Sequence, residues 1–222
     1  MAGLLEAIVG VLVPGVSRDR LRRRVGQLLI GLLLYGTSDS LLVLGHLGID
    51  PWDVFQQGLS FHTGIPIGTW AILVGMGVLL LWIPLRQRPG LGTVLNVIMI
   101  GGVMDLILSH VTPPTNLSSR ILMLLPGVAL NGVATGCYIG AGLGPGPRDG
   151  IMVGLANRGL SLRLVRTTIE VTVLVIGWAL GGNVGWGTLL YALAIGPLAQ
   201  VFIPLFTVKP LQTAPVIRSL PK

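Results

Sequence analysis

Charged side chains are scarce in this sequence. They make up only 10% of its 222 residues, while hydrophobic residues make up 52%. A soluble domain carries roughly 25% charged residues, so the composition excludes an ordinary soluble fold. The mean hydropathy of +0.83 agrees with this conclusion. The sequence therefore predicts a single domain embedded in a lipid bilayer.

Residues that carry catalysis or bind metals are also rare. The single cysteine, Cys137, lies in an apolar run and can form no internal disulfide, so it is interpreted as a packing residue. His46, His62 and His110 lack the short spacing of a zinc motif. There is no G-x-S-x-G motif and no Walker A loop. We therefore expect no enzyme active site, no metal site and no cofactor.

Long apolar stretches dominate what is present. About 20 apolar residues are needed for a helix to cross the hydrocarbon core of a membrane. Helices are expected because lipid cannot pair free backbone groups. Six stretches are predicted to span the membrane, of which the fifth is the shortest: Gly26–Gly45, Ile65–Leu85, Leu91–Ser109, Ile121–Ala141, Thr167–Leu180 and Gly187–Phe206.

The basic residues alternate with the predicted spans. All Lys and Arg residues except Arg120 lie in every second connection or at the two ends of the chain. Cytoplasmic loops are rich in these residues, so both termini are predicted to be cytoplasmic in a multi-pass protein of the cell membrane. The alternation also explains the net charge of +7 without a nucleic-acid partner.

This orientation divides the chain into five segments. A cytoplasmic, amphipathic and basic segment covers 1–24 and does not have the order of charges of a cleavable signal peptide. The first membrane repeat covers 25–110, an external loop 111–120, the second membrane repeat 121–207, and a cytoplasmic tail 208–222.

The chain contains an internal repeat. Leu47–Asp53 matches Leu143–Asp149 in the pattern L-G-x-x-P-x-D, and G-x-G-T-x-L begins at Gly90 and again at Gly185. Each copy holds three predicted spans, and three is an odd number, so the second copy is expected to be inverted relative to the first. The prediction is an all-α membrane protein of six transmembrane helices in two inverted three-helix repeats.

A short extra helix is expected in each copy after Pro51 and Pro147, because proline suits the first helical position. These two helices either lie at the membrane interface or enter the bilayer as re-entrant segments. Asp53 and Asp149 fall in their first turns, where a carboxylate also suits the helix dipole. Arg148 lies in a glycine-rich loop that could hold an anion, or it pairs with Asp149 or a lipid phosphate.

Three further acidic residues fall within predicted spans, where a charge is costly and often functional. Asp39 lies about two-thirds along the first span, Asp105 near the outer end of the third and Glu170 early in the fifth. The predicted substrate or ion pathway therefore comprises Asp39, Asp53, Asp105, Asp149, Arg148 and Glu170.

Other span residues are predicted to hold helices together. Asn96 and Asn131 are interpreted as polar contacts between helices. Gly132, Gly136 and Gly140 form a small-residue stripe that lets a second helix approach closely.

The two L-G-x-x-P-x-D loops and the two G-x-G-T helix starts resemble the YczE/YyaS/YitT group of bacterial polytopic membrane proteins. The resemblance covers about residues 25–207. It implies a bacterial membrane location and the number of spans, and it brings no substrate or mechanism.

We predict a secondary transporter of a small solute or ion, with its path between the two inverted repeats. The alternative is a membrane scaffold or assembly factor that transports nothing, and a weaker one is a lipid-handling protein. The expected partners are the lipid bilayer, a small-molecule or ion substrate and, as an open alternative, further copies of the same chain.

Overall fold

The computed structural model describes residues 21–209, and every regular element among them is helical. Eight helices follow one another in the order long, short, long, long, and this order then recurs: α1 Leu21–Gly45, α2 Pro51–Thr63, α3 Ile67–Leu85, α4 Leu91–His110, α5 Leu117–Gly140, α6 Pro147–Ala156, α7 Leu162–Ala179 and α8 Trp186–Phe206. The expectation of an all-helical protein with a short helix after Pro51 and another after Pro147 is confirmed.

Five of these helices, α1, α3, α4, α5 and α8, are long and apolar enough to cross a membrane. They coincide with five of the six predicted spans. The sixth candidate, α7, has 18 residues and carries Arg163, Arg166 and Glu170, and it is not among the five. The predicted amphipathic helix near the start of the chain and nearly all of the predicted cytoplasmic tail lie outside the described residues.

The centre of the bundle is the contact between α1 and α5. Gly31 of α1 lies against Cys137 and the backbone of Tyr138, so the two helices approach each other closely. The Ser38 hydroxyl donates to the carbonyl of Gly127 across the same contact, at 2.9 Å. Near the start of α1, the buried Arg24 donates to the carbonyls of Ala141 and Val208. Close packing and buried polar contacts together fix this pair of helices.

The glycine stripe of α5 faces α8. A methyl group on Gly136 would lie 2.6 Å from the Cβ of Phe202, and Gly132 and Gly140 meet Leu198 and Phe206 in the same way. The stripe therefore lets α8 lie directly on α5.

The L-G-x-x-P-x-D pattern occurs once in each half of the chain, α1–α4 and α5–α8, and each of these two loops contacts the last helix of the other half. Gly187 at the start of α8 donates to the carbonyl of Leu47 at 2.7 Å, and Gly92 at the start of α4 donates to the carbonyl of Leu143 at 2.8 Å. The neighbouring Gly48 and Gly144 have φ values of 111° and 122°, which favour glycine. The two halves are therefore bound to each other by exchanged loop contacts.

The packing of the halves differs at one place. α3 packs along α4, where Gly68 and Gly101 bring the two backbones together, whereas α7 has no comparable packing against α8. α7 instead packs on α2 and α6. A gap therefore separates α7 from α8.

The α5–α8 contact gives a first prediction. Gly136→Ala should destabilise the protein by about 1–3 kcal/mol, because overpacking a close contact forces a backbone to shift. The matched control is Gly102→Ala, since a methyl group on Gly102 meets nothing within 4 Å. Unfolding by SDS in mixed micelles measures both. Equal stability of the two variants would contradict the close α5–α8 contact.

Candidate functional site

The two short helices begin inside the protein, and a cluster of charged side chains surrounds their first turns. At the start of α2, Asp50 accepts hydrogen bonds from the backbone N–H groups of Trp52 and Asp53, at 2.7 and 2.9 Å. Asp50 and Asp53 are almost completely buried. A carboxylate at this position satisfies N–H groups that have no partner within the helix.

Arg148, from the first turn of α6, is the cation of this cluster. Its guanidinium lies 3.4 Å from a carboxylate oxygen of Asp50 and 3.7 Å from one of Asp53, and it stacks over the Trp52 ring at 5.0 Å. Gln56 bridges Asp53 and Arg148 when its amide nitrogen faces Asp53 and its oxygen faces the guanidinium. Arg148 thus pairs with α2 rather than with its sequence neighbour Asp149.

Asp39 of α1 completes the cluster. It is fully buried, and its Oδ1 accepts a hydrogen bond from Asn131 of α5 at 2.9 Å. Asn131 in turn accepts one from the Tyr191 hydroxyl of α8 at 3.0 Å. Asp39 also lies close to Asp50 and Asp53, with one oxygen of each carboxylate within 4.8 Å of the others. Three carboxylates and one guanidinium therefore share a buried region, which is the charged cluster.

A wide cavity opens beside the cluster, in the gap between α7 and α8. It has a volume of about 670 Å³ and reaches from Tyr35 and Asp50 to Gln200 and Pro204. The Arg148 side chain is 28% exposed, so it reaches both the cluster and the cavity. The other charged residues in the lining are Asp149, Arg166 and Glu170.

A second, narrow cavity of about 50 Å³ also borders Arg148. It is lined by residues of α3 and α4, among them Ala71, Val97 and Gly101, and also by Tyr35 and Tyr138. Arg148, Trp52 and the two tyrosines line both cavities. Arg148 therefore borders both a narrow space and a wide one.

The remaining predicted residues lie around these spaces. Asp149 accepts a hydrogen bond from Tyr138 at 2.9 Å, and Glu170 pairs with Arg166 at 2.9 Å at the wall of the wide cavity. Asn96 lines the narrow cavity.

Asp105 lies apart from the cluster, at the α3–α4 contact. Its two oxygens accept hydrogen bonds from the backbone N–H of Gly68, at 2.7 Å, and from the hydroxyl of Thr69, at 2.6 Å. Asp105 therefore joins α4 to the first turn of α3.

Several residues of the site are absent from the sequence prediction. Asp50 is not among the predicted site residues, and it both caps α2 and belongs to the charged cluster. Arg166 could have been found from its position four residues before Glu170. Tyr35 and Tyr191 carry no sequence signal, because only the helix packing turns them toward the cluster.

Comparison with known proteins places the chain in a family. Residues 22–204 match the model of a family of unknown function, DUF6198. The chain belongs to this family. It is similar to an uncharacterized protein of Haemophilus influenzae, with 42% identity covering 82% of this chain and 84% of the relative.

The DUF6198 chain is also similar to two Bacillus subtilis proteins. It is 34% identical to the uncharacterized membrane protein YczE over 78% of this chain and 82% of YczE. It is 29% identical to the uncharacterized protein YyaS over 79% of this chain and 90% of YyaS. The expected resemblance to the YczE/YyaS group is confirmed, and with it a membrane location. No solved structure matches the chain.

The buried pairing of Arg148 gives a second prediction. Removing one partner of a buried ion pair costs about 3–5 kcal/mol, because the other charge stays buried without a counterion. Arg148→Gln should destabilise this DUF6198 protein by the lower end of that range, because the native Arg148 side chain is partly exposed. Arg166→Gln is the control, since its ion pair is more exposed and should contribute about 0–1 kcal/mol. SDS unfolding in mixed micelles gives both values. Equal losses would contradict a buried role for Arg148.

Proposed function

We propose that this protein is a secondary transporter of a small polar solute, which moves between two inverted halves, α1–α4 and α5–α8. The observation that carries the proposal is the pair of cavities of unequal size that share Arg148 in their linings. A transporter must open its central site to one face of the membrane at a time, and inverted repeats provide two alternative openings.

The local contacts support a symmetric relation between the halves. Trp52 and Arg148 occupy matching positions of the L-G-x-x-P-x-D pattern, and they contact each other. Contact between matching positions is typical of a two-fold axis. The bonds from Gly92 to Leu143 and from Gly187 to Leu47 are one contact made in both directions, because Gly92 matches Gly187 and Leu143 matches Leu47.

The cavities correspond in the same way. Ile100 and Gly101 line the narrow cavity, and their counterparts in the G-x-G-T register, Ile195 and Gly196, line the wide one. The same part of each half thus borders a narrow space in one case and a wide space in the other. An exchange of the two arrangements would narrow one cavity and widen the other, which is the change required for alternating access.

The proposal includes α7 as the sixth span, so that each half holds three. Its Arg166 and Glu170 pair with each other and line the wide cavity. Charged side chains within a membrane usually face such a cavity rather than lipid. The distribution of Lys and Arg places the start of α7 and the end of α8 at the cytoplasmic face, so the wide cavity opens inward.

The cavity suits a small polar molecule. Its volume of about 670 Å³ falls within the range of small-molecule sites, roughly 300–1,000 Å³. Arg148 and Arg166 offer groups for an anion, and Asp149 and Glu170 offer groups for a cation. These side chains together favour a small solute that carries hydrogen-bond donors as well as acceptors, whether polar or charged.

The proposed inversion predicts opposite labelling of the two short helices at their ends. In a Cys137→Ala background, His62→Cys should react with an impermeant maleimide from outside the cell, and Asn157→Cys only from the cytoplasmic side. Both positions are exposed. Lysed cells are the control, because both cysteines should react there. Labelling of both cysteines from the same side would contradict the inversion.

Transport is tested with purified protein in proteoliposomes. A mixture of isotope-labelled amino acids, small organic acids and polyols is offered outside, and mass spectrometry measures what accumulates. We expect uptake by the protein. A short bifunctional thiol reagent that joins Thr69→Cys to Asp105→Cys in the Cys137→Ala background should stop uptake, because α3 and α4 can then no longer separate.

The two single-cysteine variants, Thr69→Cys and Asp105→Cys, are the controls and should keep their uptake after the same reagent. Undiminished uptake by the cross-linked double variant would exclude a pathway that requires α3 to leave α4. A protein that accumulates nothing from the mixture and co-purifies with a stoichiometric partner would instead be a scaffold.

A further inference from the structure

The charged cluster contains the features of a cation site. We propose that Asp39, Asp50 and Asp53 bind a hard metal cation of the Na⁺, Mg²⁺ or Ca²⁺ class, and that this ion is the coupling ion of the transport cycle. The coupling role rests on the proposed transport function, whereas the binding site does not.

The geometry of the three carboxylates fits such an ion. One oxygen from each lies within 4.8 Å of the others, although the residues come from two different helices and from the loop between them. Hard cations prefer oxygen ligands, and Ca²⁺ binds them at about 2.3–2.6 Å. Oxygens on opposite sides of one ion are then separated by roughly 4.6–5.2 Å, so a single ion can contact all three carboxylates.

Two of the oxygens require a further partner. Asp39 and Asp53 are fully buried, and the Oδ2 atom of each has no hydrogen-bond partner. A buried polar atom without a partner is costly, and a buried charge more so. The neighbouring donors are already engaged elsewhere: Asn131 with Asp39 Oδ1, and the N–H groups of α2 with Asp50. A bound cation would satisfy both free oxygens at once.

The net charge of the cluster also favours a bound cation. Three carboxylates lie near one guanidinium, that of Arg148, so they carry more negative charge than it can offset when all three are ionised. Arg148 and the positive end of the α2 helix dipole offset only part of this negative charge. A metal ion supplies the missing positive charge, and unlike a proton it can contact several carboxylates together.

The position of Arg148 links the ion to the solute. Its distances to Asp50 and Asp53, 3.4 and 3.7 Å, are long for a charged hydrogen bond, and its side chain also faces the wide cavity. A cation bound to the carboxylates would weaken the electrostatic attraction of Asp50 and Asp53 for the guanidinium. Arg148 would then be released toward an anionic group of the solute, so ion and solute would bind together.

The binding site is tested on the full chain in detergent micelles. Thermal unfolding is followed while NaCl, MgCl₂ or CaCl₂ replaces choline chloride at constant ionic strength. We expect a saturable rise in Tm with at least one of the three metals. Asp39→Asn and Asp53→Asn should each raise its half-saturating concentration at least tenfold.

Asp105→Asn is the control, because Asp105 lies apart from the charged cluster, at the α3–α4 contact, and outside the carboxylate triad. It should respond to the metal as the native protein does. If an Asp39 or Asp53 variant does not fold, the native protein still provides a test. Binding at one site must saturate, whereas a general salt effect grows with concentration, so a rise in Tm without saturation would contradict the site.

Two outcomes would overturn the site: no metal gives a saturable rise in Tm relative to choline, or both Asn variants respond as the native protein does. The uptake assay separates this inference from the transport proposal. Metal binding without uptake of any solute would support the metal site and exclude the coupling role. Uptake at an unchanged rate in choline alone would exclude the coupling role, while the transport proposal would stand.

Discussion

Two short helices that begin inside an apolar bundle impose the main constraint on this structure. The first N–H groups of a helix have no partner within it, and lipid or apolar side chains can supply none. Asp50 satisfies this need at α2 by accepting from two backbone N–H groups. A buried carboxylate then needs a cation nearby, which Arg148 of α6 provides. The polar centre of the protein thus follows from the place where these helices start.

The surrounding packing keeps that centre in place. The long helices α1 and α5 approach closely at Gly31 and bring Asp39 to Asn131, while the glycine stripe of α5 admits α8 and with it Tyr191. Backbone bonds from Gly92 and Gly187 join the starts of α4 and α8 to the opposite loops. The closely packed helices are therefore those that hold the charged cluster, whereas α7 and α8 have little contact with each other.

Much of the helical framework could be predicted from the sequence, and the site only in part. Apolar length fixed the five longest membrane helices to within a few residues, because lipid requires a certain helix length. The pattern L-G-x-x-P-x-D located both short helices through the preference of proline for a first turn. Asp39, Asp53 and Arg148 stood out as charges in apolar surroundings. Their contact with one another could not be predicted, since it joins residues that are far apart in the chain.

Sequence alone determined that this protein is a membrane-embedded helical bundle, where its helices start and stop, and which few charges it must accommodate, because these depend on local composition and spacing. Only the tertiary structure decided that Asp50 joins the cluster, that Asp105 instead fastens α4 to α3, and that α7 stands away from α8. Those outcomes depend on which helix faces meet across the bundle, and the hydrophobicity of a lipid-embedded helix does not specify a partner face.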